Sequence, residues 1–306
     1  MVEKAILLDE VRNALVGWID NHEITSAFDG VFIFGSLINR NGRHFVPQGS
    51  MASDVDLVLT FKDEIDTALA RAEALKRVRG AVRSLEHETA TVLQRATQEP
   101  IYSILPLTKY EIHQCIHKGH DPKLFMSNLF LEVVSGERVD GGLASYVDYD
   151  YHYENLEAFS AIRLCQSYRN KFLRGNQVGW LAQDDFAGET VFPKEIMRAS
   201  ALLCFASGPK DDESRRTDLE EGQIYLLERL RELKDHSPEL KLLVDKVNGR
   251  GFTRAESEPL SPEDMLLIHE VMFDDARSLV IPSVRDAIRE VIETDMPTDN
   301  PPDSAD

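Results

Sequence analysis

Only three cysteines occur in 306 residues: Cys115, Cys165 and Cys204. They are scattered, odd in number and without the spacing of metal ligands. That argues against a disulfide framework or a cysteine metal site and fits reduced core thiols. Long apolar runs are missing as well, and no stretch approaches the roughly 20 residues needed to span a bilayer. At the N-terminus Glu3, Asp9 and Glu10 interrupt the apolar positions, so MVEKAILLDEVRNALV reads as a helix and not a signal peptide. These shortages together predict a cytoplasmic protein with no membrane partner. Positive charge is the remaining deficit: 34 Lys and Arg stand against 53 Asp and Glu, for a net charge of −19. Such a chain has no general attraction for nucleic acid, whose binding depends on neutralising phosphates. A small molecule or a protein is the better-matched partner.

What is present suffices for a core, since 42% of residues are hydrophobic in a chain long enough for two domains. Ile6, Leu7, Val11, Leu15, Val16 and Ile19 recur at helical spacing over 3–21. Apolar runs at Val31–Phe34, Val55–Phe61 and Ile101–Leu105 read as strands. Between the last two, residues 63–98 read as a helix with Ile65, Ala68, Ala72, Leu75, Val78 and Val82 on one face and Lys76, Arg77, Arg79 and Arg83 solvated. Thr108 and Glu111 have the spacing of a capping box. Residues 122–134 read as an amphipathic helix ending at Ser135-Gly136, before an Asp140-Gly141-Gly142 turn. From there the pattern becomes helical throughout, with segments at 149–173, 192–205, 219–234, 238–247, 261–279 and 282–292. The connection 208–218 is highly charged, and the Pro- and Asp-rich tail is expected to be disordered. An α+β chain follows from this: a mixed-sheet domain over 1–145, an all-α bundle over 146–293 and a tail over 294–306.

The stretch Gly30 to Phe61 concentrates the chemistry. A buried strand ends in Gly35-Ser36, a polar Gly-rich loop follows, and the next strand opens with Asp54 and Asp56. Residues two apart on a strand share a face, so both carboxylates point the same way. Close carboxylates raise each other's pKa unless a cation sits between them. Hard oxygen donors in this number suit Mg²⁺, which binds one or two carboxylates and leaves its other positions to water and phosphates.

In this order the two elements, Phe32-Ile33-Phe34-Gly35-Ser36 and Ser53-Asp54-Val55-Asp56-Leu57-Val58-Leu59, resemble the nucleotidyltransferase fold of the DNA polymerase β superfamily. The resemblance is to the minimal or aminoglycoside type and covers roughly 24–142. It implies a nucleotidyltransferase-fold mixed sheet followed by a helical domain. It also implies that Asp54 and Asp56 bind Mg²⁺ or Mn²⁺ and carry the chemistry, while Gly35 and Ser36 hold the triphosphate of an NTP. The implied reaction moves an NMP, AMP first among them, to a hydroxyl of a small molecule or protein. Family roles include antibiotic adenylylation, toxin–antitoxin modification and second-messenger synthesis.

Two departures from the family pattern are visible. The interval from Ser36 to Asp54 is long and carries Arg40, Arg43 and His44. The next strand, Ile101–Leu105, lacks the third carboxylate that active members add, with Tyr102 or Ser103 in its place and Glu86, Glu88 and Glu99 nearby in sequence. A nucleotide-binding antitoxin or sensor of weak activity is therefore the alternative. Helical modules joined to such domains include HEPN RNases with Arg-x4–6-His, a spacing met by Arg231 and His236, so RNase activity is a second alternative. Trp180 and Tyr168 read as core aromatics before nucleobase platforms. Glu154, Asp184, Asp185 and Glu189 read as solvated acids.

Overall fold

The computed structural model describes residues 2–39, 54–92, 100–119, 124–140, 142–144, 156–175, 194–208, 217–250 and 260–295. The loop expected over 40–53, most of the charged connection and the tail beyond 295 lie outside the described residues. So do Trp180, Glu154, Asp184, Asp185 and Glu189.

Helix α1 (Val2–Asn21) places Val11, Leu15, Trp18 and Ile19 inside, each worth about 1.5–3 kcal/mol when fully buried. The Trp18 indole also donates to the Ala81 carbonyl at 3.0 Å, which satisfies its one polar atom. Strands β1 (Phe28–Phe34) and β2 (Val55–Phe61) pair antiparallel, with Ile33 opposite Leu57 and Phe34 opposite Asp56. Strand β3 (Tyr102–Leu107) lies parallel to β2 and puts Ser103 beside Asp56. Parallel neighbours need a crossover, and α3 (Ala68–Val92) provides it. Between β1 and β2 the chain forms the single turn α2 (Ser36–Asn39).

Alternation along the strands builds two cores. Val31, Ile33, Leu57, Leu59 and Phe61 pack with α1 and α3 on one face. On the other, Val58, Leu105 and Leu107 pack with Ile112, Cys115 and Phe125. These last residues come from α4 (Lys109–His113), the turn after it, and α5 (Leu124–Ser127). Thr108 and Glu111 form the expected capping box at the start of α4. The first core continues into the helical region through α6 (Leu156–Arg174), α7 (Lys194–Ser207), α8 (Leu219–Leu233), α9 (Pro238–Arg250) and α10 (Pro262–Asp295). A mixed sheet followed by helices is the fold class expected. None of the three cysteines forms a disulfide.

Three expectations need correction. The helix read over 122–134 stops after one turn, and Phe130–Glu132 is instead strand β4, followed by β5 (Arg138–Val139). Pairing of Leu131 with Ile33 covers the open edge of β1 and seats Phe130 against Phe34, ring centroids 5.5 Å apart. Tertiary pairing there outweighs a helical spacing of apolar residues. The sheet order is thus β3-β2-β1-β4-β5. The two helices read at 261–279 and 282–292 are one helix, α10, which runs through Pro282. Proline removes one backbone donor, but the preceding turns are fixed by burial of Leu266, Ile268, Met272, Phe273 and Ala276. Arg79 is not on a solvated face: it lies over the Phe172 ring at 4.5 Å and pairs with Glu263 at 2.6 Å.

A buried ion network ties the sheet to the helices. Glu270 of α10 accepts from Arg71 of α3 at 2.6 Å and from Arg169 of α6 at 2.6 and 2.9 Å. Arg169 also reaches Glu111 of the capping box at 2.8 Å, and Arg71 pairs with Asp274. The side chains of Arg71, Arg169, Glu111 and Glu270 are all 0% exposed. Burial works against the charge of Glu270, yet Arg169 and Arg71 hold its carboxyl below the ordinary range.

Candidate active site

The two carboxylates sit where β2 begins, on the sheet face covered by α4 and α5. Asp54 immediately precedes the strand, and Asp56 lies between Phe34 of β1 and Ser103 of β3. Burial, reinforced by the charge of Asp54, pushes the Asp56 carboxyl up to about 6, against the opposing pull of Lys118 and Arg174. Its charged form is held at a cost, as expected of a group placed to receive a cation.

Gly35 explains how the turn approaches this pair. Its φ is +79°, a conformation that L side chains rarely adopt, and a Cβ there would stand 2.5 Å from Oδ2 of Asp56. Only glycine lets the β1–α2 turn close over the carboxylate. Ser36 follows it and opens α2, which is a single four-residue turn, so the helix dipole contributes little here.

Positive charge reaches the site from two distant segments, and neither was singled out from the sequence. Arg174, in the last turn of α6, donates from Nη2 to Oδ2 of Asp54 at 3.0 Å. Lys118 follows α4, and it interacts electrostatically with Asp56, Asp54 and Arg174. Burial, together with Arg174, brings its ammonium down to about 8, while Asp56 and Asp54 favour its charge. Among the described residues two acids and two cations thus interact beside a glycine turn, an arrangement suited to a metal-bound polyphosphate.

A family model described as Pol beta superfamily nucleotidyltransferase in conflict systems matches residues 14–278. The chain belongs to this family. Comparison with curated proteins and with solved structures gives no match.

In this chain the position beside Asp56 on β3 is occupied by Ser103, and among the described residues no third His, Cys, Asp or Glu completes a metal-binding group. Glu86 is committed elsewhere. It is buried and accepts from the backbone N–H of Ile101 at 2.8 Å and of Tyr102 at 3.0 Å, which fixes the start of β3. Glu88 is exposed on α3, while Glu99, Arg40, Arg43 and His44 lie outside the described residues. The pair fits Mg²⁺ or Mn²⁺: it offers hard oxygen donors on one strand face, with a glycine cradle that no Cβ obstructs.

The remaining sequence-derived residues lie apart from this centre. Tyr168 is buried, stacks on His269 with centroids 4.0 Å apart and donates to the Pro262 carbonyl at 3.2 Å. Arg231 and His236 are exposed on α8 and on the short 3-10 turn that follows it. A cavity of about 240 Å³ lies at the other end of the same sheet face, beside Gly30, Thr60 and Lys109. Thr60 is four positions along β2 from Asp56, roughly 13 Å at the rise of a strand. Lys109 there is neutralised by Asp29 at 2.7 Å and Asp63 at 2.8 Å. No described helix is long and apolar enough to cross a membrane.

Proposed function

We propose that the protein is a metal-dependent nucleotidyltransferase that moves an NMP, in the first instance AMP, from an NTP to a hydroxyl of a small molecule or protein. One observation carries this reading: the left-handed Gly35 turn abuts the carboxylate of Asp56 so closely that no side chain fits between them. On this reading Asp54 and Asp56 hold Mg²⁺ or Mn²⁺, and Gly35 and Ser36 lie against the β/γ-phosphates. Bound between the two carboxylates, the metal would neutralise charge on the phosphates and lower the pKa of the acceptor hydroxyl. Lys118 and Arg174 add the positive charge that a leaving pyrophosphate needs. Residues 1–145 carry the transfer chemistry, and the region 146–293 contributes Arg174. The net charge of −19 favours a small-molecule or protein acceptor over a polynucleotide.

The test uses NTPs labelled at the α- or the γ-phosphate, with Mg²⁺ and candidate acceptors. Transfer of the α-label alone is expected. Transfer of the γ-label would replace this reading with phosphoryl transfer. A second reading, a nucleotide-binding antitoxin or sensor, is favoured by Ser103 in the place beside Asp56. It predicts metal-dependent NTP binding with no transfer of either label.

A further inference from the structure

We infer that Arg174, assisted by Lys118, acts as an exchangeable counter-ion that bars free divalent metal from Asp54 and Asp56 and admits it only together with a nucleotide polyphosphate. This rests on the nucleotidyltransferase reading of the same site.

The argument begins with charge. Arg174 donates to Oδ2 of Asp54 at 3.0 Å, and Lys118 interacts electrostatically with both carboxylates, so among the described residues two positive groups stand against two negative ones. A bare divalent ion arriving here adds two uncompensated positive charges and must also take Asp54 from a charge-assisted hydrogen bond. A metal–nucleoside triphosphate brings net negative charge with it. Its phosphates offer Arg174 and Lys118 new partners while the carboxylates turn to the metal. The exchange then trades the Arg174–Asp54 pair for pairing of Arg174 with phosphate.

Geometry agrees. Arg174 ends α6 within a half-buried setting, its side chain 29% exposed and that of Asp54 39% exposed, so the pair can part without opening the core. The C-terminal part of α6 is held instead at Arg169, which is clamped to Glu270 and Glu111 in the buried network. A fixed helix whose final side chain reaches a partly exposed pair is suited to such an exchange.

The test measures Mn²⁺ binding by electron paramagnetic resonance on the full chain, with and without an α,β-methylene NTP analogue. Arg174→Gln and Arg174→Ala are compared with wild type, and thermal melting verifies folding. Removing one cation near a divalent site is expected to tighten nucleotide-free Mn²⁺ binding roughly tenfold or more and to weaken binding of the Mn²⁺–analogue complex by a similar factor. Unchanged or weaker binding of free Mn²⁺ in both variants overturns the inference. Tighter free Mn²⁺ with unaltered analogue binding overturns the exchange onto phosphate. If wild type binds no analogue although free Mn²⁺ responds as expected, the nucleotidyltransferase reading fails while the exclusion of metal stands.

Discussion

Arg174 meets Asp54 across 120 positions of sequence, and their 3.0 Å contact brings the last turn of α6 to the residue that leads into the strand bearing Asp56. The helical region thus contributes a side chain to the candidate site. The consequences can be measured residue by residue.

Gly35→Ala is expected to reduce nucleotide turnover at least about a hundredfold, because the added Cβ displaces the Asp56 carboxylate it would otherwise meet at 2.5 Å. The φ of +79° adds roughly 1–2 kcal/mol of backbone strain. Gly80 is the control: it sits in α3 with open space within 4 Å of where a Cβ would stand, so Gly80→Ala is expected to stabilise by about 0.5–1 kcal/mol. Thermal melts and turnover on the two variants separate crowding at the site from a general glycine effect.

Asp56 sets a pH dependence. Its carboxyl lies at about 6 in the fold against 3.8 in the unfolded chain, so the native state binds more protons between those values. Stability contributed by this group therefore falls as pH rises from about 4 to 6 and stays reduced above that. Asp56→Asn lifts the penalty, with an expected gain of about 2–3 kcal/mol at pH 7. The gain should vanish below about pH 3, and denaturant unfolding at about pH 3 and pH 7 checks it.

The contrast between what was legible and what was not follows from sequence distance. Strand β1, the Gly35 turn and the Asp54–Asp56 pair lie within one short stretch, where the period of two and the glycine reveal the face and the close approach. Lys118 and Arg174 carry no local signal, since each joins the site only after α4 and α6 dock on the sheet. Strand β4 was hidden for a similar reason: three residues are too few to show alternation, and Phe125, Leu129 and Val133 mimic a helical stripe. The buried Arg71 and Arg169 resemble ordinary helix-surface cations until Glu270 is brought between them.

Glu270 tests that junction. Glu270→Ala leaves Arg71 and Arg169 buried without their shared partner and is expected to cost about 3–5 kcal/mol. Its folded-state carboxyl lies below the ordinary value of 4.5, so its contribution is present above pH 4.5 and is lost as pH falls through the lower folded value. The deficit of the variant should therefore shrink in acid, as followed by chemical denaturation.

Pyrophosphate release from an NTP in Mg²⁺ tests the central claim most directly. Wild type is expected to release it, and Asp54→Ala and Asp56→Ala to abolish release while remaining folded. Release that persists undiminished in both variants would contradict the assignment of these carboxylates as the centre of the site.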